Sequence, residues 1–135
     1  AFVPGDHATT YGGQPLATAA ARAVLAVMER EDVPTRAEAT GKRLTAALVA
    51  LPEVAEVRGW GLLLAAELDG VDAQEVARRA LTEGVVVNGV TPTALRFAPS
   101  LLIEDDELDE AVAVLAGVLA AWINSPRTAA PRQRQ

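Results

Sequence analysis

Cysteine is absent from the 135-residue sequence, which excludes disulfide bonds, thiolate metal sites and a cysteine nucleophile. No apolar run approaches the roughly 20 residues that a membrane-spanning helix needs, and no signal peptide is recognisable. Basic residues are also fewer than acidic ones, twelve against eighteen. The resulting net charge of −6 argues against nonspecific nucleic-acid binding. We therefore expect a cytoplasmic protein that acts on neither nucleic acid nor a membrane.

Lysine, histidine and aromatic residues are scarce. Lys42 is the only lysine, His7 is the only histidine, and two Trp, two Phe and one Tyr are the only aromatic residues. The core must therefore consist of Leu, Val and Ala, and the length suits one domain of modest size. His7 has no second metal ligand near it, and the acidic cluster at residues 104–107 fits the start of a helix. We expect no metal site.

Hydrophobic periodicity and turn residues predict a small α+β domain. Helices are predicted from Pro15 to about Arg30, from Thr35 to Pro52, from Asp72 to about Thr82 and from Asp105 to Trp122, and strands over 54–68 (two, around Gly59-Trp60-Gly61), 85–88 and 95–97. Thr35 with Glu38, and Asp72 with Glu75, have the spacing of capping boxes. The elements predict a three- to four-stranded, mostly antiparallel sheet with helices on one face. Residues 125–135 are polar and interrupted by proline, and we expect a disordered tail.

The segment GDHATTYGGQP, residues 5–15, concentrates hydroxyl groups and glycines directly before a helix. The hydroxyls of Thr9 and Thr10, the backbone N–H groups of Gly12 and Gly13, and a helix that starts at Pro15 suit an anion, most naturally a phosphate. The alternative is a turn that merely caps the helix, because short Gly/Thr turns are common before helices.

Three blocks of the sequence resemble, in order, characteristic segments of the class III pyridoxal-phosphate-dependent aminotransferases. They are GDHATTYGGQPLATAAARAVLAVME (5–29), VRGWGLLLAAEL (57–68) and GVVVNGVTPTALRFAPSLLIEDDELDEAVAVL (84–115). The Val87-Asn88 pair is most similar to the acetylornithine aminotransferases, with ornithine and 4-aminobutyrate aminotransferases as alternatives. Ala8, Gln14 and Ser100 depart from the common pattern, and Ala8 leaves the geometry of its loop in question.

This resemblance implies the small C-terminal domain of a fold-type-I aminotransferase that works as a homodimer with pyridoxal 5'-phosphate. It assigns residues 1–14 to a cofactor-phosphate and interface loop and residues 15–124 to the small domain with its leading interdomain helix. Thr10 falls on the threonine that contacts the cofactor phosphate, and Thr9 and Arg96 fall on substrate-binding positions. The implied reaction is N2-acetylornithine:2-oxoglutarate transamination in arginine biosynthesis.

The Schiff-base lysine that this chemistry needs is not recognisable in the sequence. Lys42 lies between Gly41 and Arg43 on a polar helix face, and we expect a solvated surface residue. The chain alone is therefore expected to be catalytically incomplete. The competing hypothesis is a non-catalytic α+β module for binding or oligomerisation.

Strand alternation gives Arg96 a role that does not depend on the resemblance. Leu95 and Phe97 should face away from Arg96, and an arginine held on a sheet needs an anionic partner. That partner is either a structural acid or a substrate carboxylate. Arg58 could reach a ligand carboxylate, but we expect it to pair with an acid at its strand end. Trp60 could cap the core or line an interface, and we expect it to pack against the protein.

Overall fold

The computed structural model describes Val3 and residues 12–123. The helices are α1 (Pro15–Arg30), α2 (Val33–Val49), α3 (Ala73–Thr82) and α4 (Asp105–Ile123), and the strands are β1 (Val54–Trp60), β2 (Leu63–Leu68), β3 (Asn88–Gly89) and β4 (Ala94–Phe97). Along the chain they follow the order α1-α2-β1-β2-α3-β3-β4-α4. The chain divides into two compact units, Ala1–Pro34 and Thr35–Gln135, which are described separately below. None of the helices within the described ranges is long and apolar enough to cross a membrane.

The first unit contains α1, whose two ends lie where the sequence predicts them. Pro15 occupies the first helical position, where its missing N–H is not needed. The hydroxyl of Thr18 donates to the carbonyl of Gln14 at 2.6 Å. Glu31 caps the C-terminus by donating its backbone N–H to the carbonyl of Val27. The predicted loop before α1 lies mostly outside the described residues.

Helix α2 begins at Val33, two residues before the predicted start at Thr35. Pro34 therefore lies inside the first turn, which tolerates proline because its N–H groups have no partner within the helix. The prediction that Thr35 and Glu38 form a capping box was wrong, because the helix begins at Val33 and Thr35 lies inside it. The Glu38 carboxylate instead accepts a 2.6 Å hydrogen bond from Lys42 one turn later. The buried residues of α2 include Leu44 and Leu48, as its periodicity predicts.

The four strands form one sheet in the order β1-β2-β4-β3, and every neighbouring pair is antiparallel. This confirms the predicted α+β class and the predicted three- to four-stranded sheet, which has four strands. β1 and β2 form a hairpin around Gly61, which adopts a φ of +53°. A Cβ on Gly41 of α2 would lie 2.1 Å from the Gly61 carbonyl oxygen, so only glycine allows the helix to approach the turn this closely.

Asp72 caps α3 as predicted, because its carboxylate accepts from the backbone N–H groups of Gln74 and Glu75. The other half of the predicted capping box is not formed, since the Glu75 side chain binds Arg78 and Arg79. The strand predicted over residues 85–88 is wrong in position, because β3 comprises only Asn88 and Gly89. Val85, Val86 and Val87 precede it without pairing to β4, whose register reaches Asn88 and Gly89 alone. A run of β-branched residues was therefore mistaken for the paired segment.

The core of the second unit lies on one side of the sheet. It consists of leucine, valine and alanine from α2, the sheet, α3 and α4, including Leu48, Leu64, Ala66, Leu68, Val76, Leu95, Leu108, Leu115 and Leu119. On β2 the burial alternates, with Leu64, Ala66 and Leu68 inside. The opposite face of the sheet carries the charged side chains of the strands.

Candidate functional site

The open face of the sheet brings three polar residues, Arg58, Arg96 and Asn88, into one row with Ala65. Arg58 of β1 lies opposite Ala65 of β2, Ala65 lies opposite Arg96 of β4, and Arg96 lies opposite Asn88 of β3. Two strand spacings separate the backbones of Arg58 and Arg96, a distance of roughly 10 Å. Because Ala65 has only a methyl side chain, the space above the sheet between the two arginines has a low, apolar floor.

Arg58 forms the ion pair that the sequence predicts. Its Nη1 atom lies 3.0 Å from Oε2 of Glu67, the diagonal neighbour on β2. The other carboxylate oxygen of Glu67 accepts a short hydrogen bond from the hydroxyl of Thr93. The Thr93 hydroxyl, and after it the Arg58 guanidinium, lower the pKa of Glu67 below its ordinary value. Both oxygens of Glu67 are thus engaged, and Arg58 already has its counter-ion.

Arg96 differs from Arg58 because no carboxylate of the described residues lies within ion-pair distance of it. Its side chain is exposed, whereas Leu95 next to it is fully buried, which confirms the predicted alternation. Its guanidinium donates one long hydrogen bond, 3.4 Å from Nη2 to Oδ1 of Asn88. Asn88 is neutral, so the positive charge of Arg96 stays uncompensated within this part of the chain. The structural ion pair considered as the alternative is not found among the described residues.

Trp60 and Leu63 form an exposed apolar pair at the end of the β1–β2 hairpin. They lie opposite each other in the register, and 88% of Trp60 and 60% of Leu63 is accessible to solvent. The expectation that Trp60 packs against this chain was therefore wrong. Its side chain projects on the same open face as Arg58, because residues 58 and 60 share a side of the strand.

The predicted phosphate loop can be followed only at its end. Thr9 and Thr10, together with His7 and Ala8, lie outside the described residues. Gly13 adopts a φ of +67°, and Gln14 precedes α1 in an extended conformation without a capping hydrogen bond from its side chain. Gly13 thus has a left-handed backbone conformation, which glycine adopts without strain, two residues before α1 begins. The roles of Thr9 in substrate binding and Thr10 in cofactor binding stay predictions.

The only lysine of the chain is engaged at the surface. The ammonium of Lys42 lies 2.6 Å from Glu38, one helical turn away, and both side chains are more than half exposed. This pair lowers the pKa of Glu38 below its ordinary value, first through the hydrogen bond and then through the charge of Lys42. Lys42 therefore has the solvated position that the sequence predicts.

The acidic residues at the start of α4 make ion pairs with α2. Glu104 binds Arg36 at 2.9 Å, and Asp105 and Asp109 both contact Arg43. Across Val3 and residues 12–123, no group of three or more His, Cys, Asp or Glu residues is arranged to hold a metal ion. These acids hold one helix against another.

Asn88, Thr93 and Glu67 are polar residues of this face that the sequence did not single out as site residues. In the sequence, Asn88 stands out only as part of the Val87-Asn88 motif, and Thr93 has no distinguishing pattern around it. The signal that could have found them is the strand register, since β3 and β4 are joined by a short turn. That register could not be read from the sequence, because the strand was placed too early.

Comparison with known proteins supports the picture built from the residues. Residues 1–119 match the family model for aminotransferase class-III. The acetylornithine aminotransferase of Caldanaerobacter subterraneus is 40% identical over 123 residues, which cover 88% of this chain and 31% of that protein. The acetylornithine aminotransferase of Bifidobacterium longum is 42% identical over 119 residues, covering 87% of this chain and 28% of the relative. The chain therefore spans about a third of the length of these curated relatives.

Solved structures show the same similarity in three dimensions. An N-acetylornithine aminotransferase from Stenotrophomonas maltophilia superposes with a TM-score of 0.78 at 31% identity, covering 85% of this chain and 34% of that one. An ornithine aminotransferase from Toxoplasma gondii, crystallised with oxidized glutathione and described with partial occupancy of PLP at its active site, gives a TM-score of 0.72 at 32% identity. The superposed region covers 90% of this chain and 31% of the Toxoplasma gondii chain.

Proposed function

Because the chain belongs to the class-III aminotransferase family, we propose that it supplies the small α+β portion of a pyridoxal-phosphate-dependent aminotransferase. The reaction that we propose is transfer of an amino group from N2-acetylornithine to 2-oxoglutarate, as a step of arginine biosynthesis. The acetylornithine aminotransferases at about 40% identity support this donor. Ornithine is the close alternative, since ornithine aminotransferases share the fold at about 32% identity.

The observation that carries the proposal is the uncompensated charge of Arg96. A guanidinium on an open sheet face, with no acid beside it among the described residues, has its N–H groups available for an external carboxylate. The planar fork of arginine matches a carboxylate through two parallel hydrogen bonds. Both N2-acetylornithine and 2-oxoglutarate carry a carboxylate, so one arginine can bind a carboxylate of each substrate in turn. In 2-oxoglutarate this carboxylate can be the one next to the reacting carbon, whereas in N2-acetylornithine the carboxylate lies at the other end of the molecule from the transferred δ-amino group.

Pyridoxal phosphate supplies, when bound, an electron sink for the bonds to the reacting carbon. The residues that the structure describes do not provide its covalent attachment, because Lys42 is occupied by Glu38 on the exposed surface of α2. We therefore assign no proton transfer to this part of the chain. Its contribution is to bind and orient a carboxylate through Arg96, and to contribute Thr10 to the cofactor phosphate and Thr9 to the substrate.

We further propose that the intact protein forms a homodimer and is located in the cytoplasm. The dimer is supported by the resemblance of the segment around Thr10, which in this family reaches the cofactor across the subunit interface. The cysteine-free composition suits a reducing compartment. Size measurement in solution, with and without cofactor, tests the dimer, and a monomer that retains full activity would contradict it.

The decisive experiment measures transamination by the intact protein that carries these residues. N2-acetylornithine, ornithine and 4-aminobutyrate are offered as amino donors at equal concentration with 2-oxoglutarate, and kcat/KM is compared. We expect N2-acetylornithine to be preferred, and residues 1–135 alone to show no turnover with added pyridoxal phosphate. Preference for ornithine would change the proposed amino donor but leave the proposed aminotransferase activity in place. Absence of transamination with all three donors would overturn the proposed function.

A further inference from the structure

The side chain that faces Arg96 is the amide of Asn88. The two residues are register partners on β3 and β4, and Oδ1 of Asn88 lies 3.4 Å from Nη2 of Arg96. This distance exceeds the usual 2.7–3.2 Å of an N–H···O bond, so the contact guides the guanidinium without holding it tightly. One of the five N–H groups of Arg96 is used in this way, and the others stay available.

Asn88 is uncharged, unlike the partner of Arg58, the other arginine on this face. Arg58 is bound by a carboxylate, Glu67, whereas Arg96 is met by an amide. A carboxylate at position 88 would have nearly the same shape and would accept the same hydrogen bond. It would also neutralise Arg96 and compete with any carboxylate that approaches from outside.

The backbone of β3 gives Asn88 a fixed position relative to β4. A Cβ on Gly89 would lie 2.8 Å from Cα of Gln74, so the strand lies directly against the first turn of α3. Gly89 also pairs with Leu95, whose side chain is fully buried in the core. The strand pairing continues beyond β3, where the backbone N–H of Val90 donates to the carbonyl of Ala94 at 2.9 Å. Asn88 is therefore carried on a supported segment, although its side chain is exposed.

We propose that Asn88 is a positioning residue that orients the guanidinium of Arg96 while leaving its charge free for the substrate carboxylate. The inference rests on the proposed function of Arg96 and adds a requirement that position 88 be an uncharged hydrogen-bond acceptor. It makes Asn88 a determinant of carboxylate affinity that has no contact with the reacting atoms.

The test compares Asn88→Asp with Asn88→Ala in the intact enzyme. For Asn88→Asp we expect the KM for 2-oxoglutarate to rise about tenfold or more, because the new carboxylate occupies Arg96. For Asn88→Ala we expect a smaller rise, about threefold, because orientation is lost but the charge stays free. The kcat should change by less than about threefold in both variants. A merely structural acceptor would give the opposite order, since Asp preserves the acceptor and Ala removes it.

Two controls separate the possible outcomes. Gln74→Glu makes the same change from amide to carboxylate on neighbouring α3 and should leave the KM unchanged. Asn88→Asp is also made together with Arg96→Gln, where its effect should disappear. If Ala is more harmful than Asp, or if the Asp effect persists without Arg96, the positioning role is overturned while the proposed function stands. If Arg96→Gln alone leaves the KM for 2-oxoglutarate unchanged, the carboxylate site itself is overturned, and the role of Asn88 with it.

Discussion

The two faces of the sheet are made by the same strands and differ completely in chemistry. The covered face presents Leu64, Ala66 and Leu95, each at most 5% exposed, to helices α2, α3 and α4. The open face presents Arg58 and Arg96 around the small Ala65. Strand alternation alone separates the two sets, so adjacent residues such as Leu95 and Arg96 serve stability and binding respectively. Substitutions on one face should therefore change properties that substitutions on the other leave intact.

The largest expected effect is on the covered face. Leu95→Ala removes a fully buried side chain and leaves a cavity, and we expect a loss of about 2–5 kcal/mol in the free energy of unfolding. Leu63→Ala is the matched control, because Leu63 is 60% exposed on the open face and its truncation should cost less than about 0.5 kcal/mol. Urea unfolding measures both variants. Equal losses would show that the open face is also packed in the protein.

The next effect is catalytic and belongs to the open face. Arg96→Lys should lower kcat/KM by roughly 2–4 kcal/mol for both half-reactions of the intact enzyme, because an ammonium cannot reproduce the two parallel hydrogen bonds of a guanidinium. The free energy of unfolding should hardly change, since the side chain is exposed. Single-turnover kinetics of each half-reaction provide the measurement.

Arg58→Lys is the control for that prediction, because it makes the same change at an arginine that already has a counter-ion. We expect its kcat/KM to stay within about threefold of the parent, roughly 0.65 kcal/mol. If Arg96→Lys stays within that limit as well, Arg96 is a structural residue. If both variants lose activity equally, the distinction between the two arginines is wrong.

A third prediction concerns α3, one of the helices that pack on the covered face. Asp72→Ala should destabilise the protein by about 1 kcal/mol, because the N-cap carboxylate accepts from two backbone N–H groups at the start of α3. Asp72→Asn keeps a capping acceptor and should retain most of the stability. Thermal unfolding distinguishes the two variants. Equal destabilisation by Asn and Ala would mean that the charge of Asp72 matters and the cap does not.

Local patterns made much of this architecture predictable. Pro15 and Asp72 mark helix starts through their own backbone chemistry, and alternation at Leu95 and Arg96 follows from the geometry of any strand. What could not be predicted depends on partners distant in sequence. The run Val85–Val87 has the composition of a strand, but pairing with β4 begins only at Asn88. Trp60 is a large aromatic residue of the kind found in cores, yet it is exposed among the residues that the structure describes.

The residues of the candidate site also fall into two groups, those predictable from the local sequence and those that depend on distant partners. Arg96 was found from its neighbours in sequence and from the resemblance of its segment. The absence of an acid beside it among the described residues, and the presence of Asn88 instead, are tertiary facts. The same holds for Thr93, which reaches Glu67 across 26 residues of sequence. Thr9 and Thr10 stay predictions from sequence alone.

The smallest expected effect concerns Glu67, which distinguishes the paired end of the open face from the end at Arg96. The hydrogen bond from Thr93 and the charge of Arg58 lower the pKa of Glu67, so the folded state binds its proton less readily than the unfolded state. Glu67 therefore stabilises the fold above its ordinary pKa near 4.5, and this contribution is lost as the pH falls through the lowered value. Glu67→Gln should be less stable than the parent at pH 7, and the difference should shrink below about pH 4.5.

Glu56→Gln is the matched control, because Glu56 lies directly opposite Glu67, where like charges repel, and its neutralisation should leave stability equal or slightly higher at pH 7. Urea unfolding across this pH range provides the measurement, and a difference between parent and Glu67→Gln that does not depend on pH would show that the ion pair and the Thr93 bond contribute nothing to the fold.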